Sequence, residues 1–160
     1  MANQGMANQG MANQGMGTEN MEILQPSDWT KPRGYANGTM ITVEAGSRLL
    51  FVGGQIGWNG QQQFESDDLG EQVRQTLENI VAILREGGAA PSDIVRMNWY
   101  VTDKREYVAA YPAIGEHYRN LIGRHFPSMT AVQVAALVED RAKVEIEVTA
   151  VVRGTQQSSG

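Results

Sequence analysis

Cysteine is absent from this chain of 160 residues, which excludes disulfides, thiolate nucleophiles and cysteine-based metal sites. Histidine is scarce. His117 and His125 are the only two, and no carboxylate accompanies them at metal-ligand spacing, so neither a metal nor another cofactor is expected. Lys and Arg number 13 against 18 Asp and Glu, giving a net charge of −5, and no basic cluster occurs. Phosphate backbones need a cationic face, so nucleic acid is not an expected partner. No apolar run approaches the about 18 residues that cross a bilayer, and the N-terminus lacks the charged and apolar regions of a leader, so no membrane partner and a cytoplasmic location are expected. Gly-x-Ser-x-Gly is missing as well, which with the lack of cysteine removes the commonest covalent nucleophiles. Gly53, Gly54 and Gly57 are not followed by Lys-Ser/Thr, and the next helix begins too late for a phosphate loop. They mark a strand end where the backbone bends or another group comes close.

What is present begins with a repeat: Met1-Ala2-Asn3-Gln4-Gly5 recurs at Met6 and Met11 and starts again at Met16. Its residues have no amphipathic face, so 1–20 reads as a disordered low-complexity segment or tag, 21–153 as a single domain and 154–160 as a disordered tail. The domain opens at Met21 and runs through a Pro-, Ser- and Asp-rich stretch that Trp29 is expected to dock. Met40-Ile41-Thr42-Val43 and Leu49-Leu50-Phe51-Val52 read as the arms of a hairpin reversing at Gly46-Ser47. Val73, Leu77, Ile80, Val81 and Leu84 then fall on one helical stripe, with Asp68 and Glu71 as an N-terminal capping pair and Gly87-Gly88 at the far end. Val95, Met97, Trp99 and Val101 make one apolar strand face, with Trp99 read as core. Pro112 is tolerated only in a first turn, so a second helix is placed from Tyr111 to Gly123 with Tyr107 and Val108 in a short turn before it. Ile114, Tyr118, Leu121 and Ile122 form its buried stripe. Two strands close the chain, one carrying Thr130, Val132 and Val134, the other alternating Val144, Ile146 and Val148 with Glu145, Glu147 and Thr149. Strand, strand, helix, strand, helix, strand, strand gives an α+β two-layer sandwich: a mixed β-sheet with two helices on one face. The other sheet face is left uncovered, which marks an assembly surface.

With thiol, serine and metal chemistry excluded, carboxylates remain. Glu145 and Glu147 share a strand face, where either serves as a general acid or base or as an ordinary polar-face residue.

The stretch Phe126-Pro127-Ser128-Met129-Thr130-Ala131-Val132-Gln133-Val134, followed by Lys143-Val144-Glu145-Ile146-Glu147, resembles the signature of the RidA/YjgF proteins, and the likeness runs from Tyr35 to Val152. The resemblance implies the chorismate-mutase-like RidA fold, assembled as a homotrimer around a barrel-like centre with small-molecule pockets between neighbouring subunits. Tyr35 aligns with a pocket tyrosine, and Gly53, before Gly54, stands where the family has a pocket serine. Tyr111 replaces a common asparagine, Ala131 a common cysteine, and Met129 the arginine that binds the substrate carboxylate. Glu145 aligns with the glutamate that positions the attacking water. The implied activity is that of a divergent hydrolytic deaminase acting on an enamine or imine of the 2-aminomuconate-deaminase type, not the 2-iminopropionate type, with Arg119, Arg124 or Lys143 as a substitute anion anchor. The alternative is a non-catalytic trimeric binder of small metabolites or protein surfaces. Ribonucleolytic activity, sometimes attributed to the family, is disfavoured by the acidic balance.

Overall fold

In the computed structural model, which describes residues 21–154, the helix with the clearest periodicity is α1, Leu69–Glu86. Its stripe of Val73, Leu77, Ile80 and Leu84 is fully buried. The caps explain its bounds: the Asp68 carboxylate accepts from the Glu71 amide at 2.9 Å, and Gly88, at φ +71°, takes a left-handed conformation just past the end.

The helix lies on a four-stranded sheet of order β3-β6-β4-β5, comprising β3 Arg48–Ile56, β4 Ile94–Val101, β5 Ser128–Gln133 and β6 Val144–Val152. β6 pairs antiparallel with both β3 and β4, and β4 pairs parallel with β5, so the sheet is mixed. Met97, Trp99 and Val101 of β4 and Val144, Ile146 and Val148 of β6 point into the core beneath α1. The side chains between them are only half-buried and form the other face. Several apolar groups are exposed there: Phe51 at 71%, Leu49 at 56% and Val132 at 44%. All helices of the domain pack on one side, as the element order requires.

Three features depart from expectation. The turn ahead of Pro112 is a helix in its own right, α2 Lys104–Ala109, capped by Asp103, whose carboxylate accepts from the amides of Arg105 and Glu106. α3, Tyr111–Leu121, follows at once with Pro112 in its first turn, so the domain has three α-helices among the described residues. Proline breaks the i→i−4 ladder between them yet fits where a first-turn N–H has no partner anyway.

The hairpin through Gly46 does not form. Gly46 does turn the chain, at φ +83°, but the preceding strand, β2 Gly38–Ile41, pairs antiparallel with β1 Met21–Leu24 in a separate ribbon. That ribbon is held beside the sheet where β5 begins. Ala36 donates to the Pro127 carbonyl at 3.0 Å, and the Thr39 hydroxyl bonds the Val95 carbonyl and Ser128 at 3.0 and 3.2 Å. Trp29 does not dock its segment; it is 59% exposed. The repeat at 1–20 and residues 155–160 lie outside the described residues.

Gln72 ties α1 to the start of β6. Buried within the helix, it donates to the carbonyls of Ser66 and Arg141 and accepts from the Lys143 amide, at 2.9 to 3.0 Å. A buried amide with this many partners fixes the loop before β6 and therefore the place of Glu145. Among the described residues no helix is long and apolar enough to cross a membrane.

Candidate functional site

Parallel register decides where β5 presents its side chains. Met129 lies opposite Met97, and Ala131 opposite Trp99, so both face the helix layer, while Thr130 and Val132 face the uncovered side. Beyond the edge of β5, α2 and α3 leave a cavity of about 840 Å³. Tyr35, Tyr111, Met129 and Ala131 all line it, so four of the residues expected in the pocket are brought together.

The cavity is walled by rings. Trp99 and Tyr107 lie 6.3 Å apart, Tyr107 meets Tyr111 edge-on at 5.1 Å, and Tyr118 stacks on Phe126 at 5.8 Å. Burial pushes the Tyr107 phenol up to about 12 and raises that of Tyr118, so both rings are neutral at physiological pH. The Tyr118 hydroxyl is spent on the His125 carbonyl at 2.7 Å. Trp99 is only 1% exposed, and among the described residues its Nε1–H has no acceptor. The charged residues on the wall are all cations: Arg33, Lys104 and Arg119. Arg119 folds back over Gly115, with Nη1 3.3 Å from where a β-carbon at 115 would stand. Arg124 is not on the wall, and Lys143 is taken by Glu106 in an ion pair at 2.5 Å. Of the three cations considered as anion anchors, only Arg119 is at the cavity.

Glu145 is elsewhere. It sits opposite Tyr100 of β4 and Ile56 of β3, with its side chain on the uncovered face, across the sheet from Met129. Gly54 leaves room for the carboxylate where it stands: a β-carbon there would overlap Glu145 Oε1 and lie 2.8 Å from Cδ and 2.9 Å from Cγ. β3 has its register shift between Val52 and Gln55, which is the close approach that the glycine run anticipates. Gly53 has nothing within 4 Å of its β-carbon position.

The two glutamates on that face are not equivalent. Glu147 accepts from Asn98 Nδ2 at 2.7 Å and from the Tyr100 hydroxyl at 2.9 Å, and this bond holds the Tyr100 phenol above its ordinary range. Among the described residues the Glu145 carboxylate accepts no hydrogen bond and forms no ion pair. Glu147 is a cross-strand tie, whereas Glu145 is a carboxylate still available for a ligand or water.

Sequence reasoning missed Trp99, Tyr107, Arg33 and Lys104 as wall residues. A signal existed for the rings: Tyr107, Tyr111, Ile114 and Tyr118 recur at i, i+4, i+7 and i+11, one apolar stripe running through the break at Ala110.

The described residues thus form an α+β sheet with helices on one face, a ring-walled cavity beside its edge strand and, on its open face, a carboxylate without a hydrogen-bond partner among them. The model of the family described as Endoribonuclease L-PSP matches residues 36–152, and the chain belongs to that family, the RidA/YjgF superfamily. Among curated relatives, the putative reactive intermediate deaminase TdcF of Escherichia coli (strain K12) is 35% identical over 112 residues, covering 68% of this chain and 82% of that protein. The 2-iminobutanoate/2-iminopropanoate deaminase of Salmonella typhimurium is 34% identical over 111 residues, covering 69% and 84%. Among solved structures, the Rid-family protein YyfB from Yersinia pestis superposes with a TM-score of 0.72 at 28% identity, covering 83% of this chain and 99% of that one. E. coli TdcF with bound serine gives 0.59 at 29% identity, covering 82% and 98%.

Proposed function

We propose that this chain is a hydrolytic deaminase of enamine or imine intermediates, acting in the cytoplasm as a homotrimer whose ligand pockets lie between copies. The observation that carries this reading is the free Glu145 carboxylate held against Gly54 on a sheet face that also exposes Leu49, Phe51 and Val132. An exposed apolar face of this kind is where a second copy packs. Glu145 and the Tyr35, Tyr111, Met129 and Ala131 cavity occupy opposite faces of one sheet, so a pocket uniting them takes the carboxylate of one copy and the cavity wall of the next. Gly53 and Gly54 then line the Glu145 side. Relatives named as deaminases support the chemistry at the level of the family.

In this reading Glu145 takes a proton from water as the oxygen attacks the imine carbon and passes it to the nitrogen, giving a carbinolamine. It then relays the hydroxyl proton to the amine nitrogen as the carbon–nitrogen bond breaks, so imine plus water gives a carbonyl compound plus ammonia. Met129 offers only a thioether where the resemblance places an arginine, so no charge-assisted pair to a small imino acid's carboxylate forms there. A larger, 2-aminomuconate-like substrate anchored elsewhere fits better. Glu145→Gln keeps the size and removes the titratable proton, and it should lower hydrolysis by about a hundredfold to ten-thousandfold with little change in trimer mass or melting temperature. Normal turnover by this variant would reduce Glu145 to a polar-face residue. The second reading, a non-catalytic trimer that binds metabolites, is favoured by the apolar, ring-lined wall. It becomes the better one if the parent binds a metabolite in the cavity but releases no ammonia from any enamine or imine.

A further inference from the structure

We propose that Glu147 is a positioning residue for the reaction at Glu145: pinned by Asn98 and Tyr100, it holds a fixed negative charge beside the free carboxylate and beside the nitrogen that the reaction protonates. The inference rests on the hydrolytic reading, with Glu145 as the proton carrier, and adds a residue that this reading does not use.

The bulge in β3 leads to this. Val52 lies across from Val148 and Gln55 across from Ile146, so Gly53 and Gly54 together stand across from Glu147, with Asn98 on its other side. Glu145 belongs to the neighbouring row of the same face, between Ile56 and Tyr100. Its carboxylate nevertheless fills the space over Gly54, where a β-carbon would overlap Oε1, so the side chain leans along the strand toward the row of Glu147. Tyr100 leans the same way: it starts across from Glu145, yet its hydroxyl donates to Glu147 at 2.9 Å. The two carboxylates thus meet around one phenol, which is held above its ordinary range by the bond to Glu147 first, and further by the charges of Glu147 and Glu145.

Hydrogen bonding makes the two acids unequal. Glu147 Oε1 accepts from Asn98 Nδ2 at 2.7 Å as well as from Tyr100. Arg96 Nε donates to Asn98 Oδ1 at 3.3 Å, which turns the amide so that its NH2 group faces Glu147. No donor among the described residues reaches Glu145. Hydrogen bonds favour the charged form of the carboxylate that accepts them, so of two neighbouring acids Glu145 takes up the proton and Glu147 stays anionic. Imine hydrolysis calls for such a pair: one carboxylate moves protons between water, oxygen and nitrogen, while the other favours the positive charge on the protonated imine and the departing amine. Tyr100 does not replace Glu145 as the acid, because losing its proton would place a third negative charge beside two. The ionisable groups facing Glu145 are Glu147 on its own strand and Arg96 and Tyr100 on β4; β3 adds none, its Arg48 lying at the far end across from Val152.

The test is ammonia release from a panel of enamines and imines by the full chain and by Glu147→Gln and Tyr100→Phe, with kcat and KM taken separately across pH and melting temperature measured alongside. Glu147→Gln keeps an oxygen that accepts from both Asn98 and Tyr100 but carries no charge. It should lower kcat about tenfold to a hundredfold with KM within about threefold, and move the acid limb of the pH profile to lower pH, because the charge that opposes ionisation of a second carboxylate is gone. Tyr100→Phe frees Glu147 while keeping the ring, and should lower kcat about threefold to tenfold. A cross-strand tie alone gives a different result: Glu147→Gln keeps its kcat and acid limb, and Tyr100→Phe changes only melting temperature. Parent-like kcat in whichever of the two variants folds overturns the proposal and leaves Glu145 as the proton carrier. If the parent releases ammonia from no enamine or imine, the hydrolytic reading falls and this inference with it.

Discussion

Replacing Gly54 by alanine separates the site from the fold. The new β-carbon would overlap Oε1 of Glu145 and lie 2.8 and 2.9 Å from its Cδ and Cγ, whereas non-bonded carbons settle at about 3.5 to 4.0 Å. The carboxylate must therefore retreat by more than about 1 Å, and a misplacement of about 1 Å in a catalytic group costs on the order of a hundredfold in rate. What moves is the free end of a flexible side chain with no partner of its own, so stability should change little. Two neighbouring glycines serve as controls. Gly53→Ala meets nothing within 4 Å and should leave both rate and stability alone. Gly57→Ala places its methyl 2.5 Å from Gln72 Cβ and 2.8 Å from its Cα, in the helix that anchors β6, and should lower the melting temperature sharply. The assay is ammonia release from a panel of enamines and imines, with thermal unfolding of each variant alongside. If Gly54→Ala turned over like the parent, or lost as much stability as Gly57→Ala, the argument that this glycine exists to seat Glu145 would be wrong.

Hydrolysis of 2-iminopropionate, followed in a coupled assay, should be about tenfold to a hundredfold slower than that of arginine-bearing relatives, since one charge-assisted hydrogen bond is missing at Met129; equal rates would contradict this. Asp68→Ala removes the acceptor of the Glu71 amide and should cost about 1 kcal/mol, read as a lower urea midpoint with an unchanged slope. Tyr107 has its folded pKa raised to about 12 by burial, against about 10 in the unfolded chain. The folded state holds that proton more tightly, so stability should be level below the unfolded value and fall as pH rises through about 10 towards about 12. Urea midpoints across that range, with near-ultraviolet absorbance to follow tyrosinate, check this; all tyrosines titrating together with no loss of stability would refute it.

Local order in this protein is written locally. α1 is specified by a stripe at helical spacing, an aspartate that caps it and a glycine free to turn left-handed, all within about twenty residues of each other. β6 alternates from Val144 to Thr149, which assigns Glu145 and Glu147 to the polar face, and β4 alternates from Met97 to Val101, but an irregularity between Ile94 and Arg96 buries Ile94 where the spacing predicts Val95. Pro112 marks the break between α2 and α3, although it does not reveal that the residues before it form a helix of their own. Pairing is another matter. β2 has the composition of a hairpin arm and a turn at Gly46, yet it pairs with β1, because a strand's partner is chosen by competition among distant segments that no local pattern encodes. The order β3-β6-β4-β5 separates the last two strands of the chain by inserting β4, and the parallel register of β4 and β5 sends Met129 and Ala131 to the helix side while Glu145 faces away. Glu147 and Glu145 read alike along the chain and differ only because Asn98 and Tyr100 lie across the ladder from one of them. Trp99 is core by its alternation, and only the gap left between α2, α3 and the edge strand makes it a cavity wall. The sequence by itself determined which residues form elements and which of their faces are apolar, since those follow from side-chain spacing; the tertiary structure alone decided which faces meet, because that depends on long-range packing that spacing does not contain.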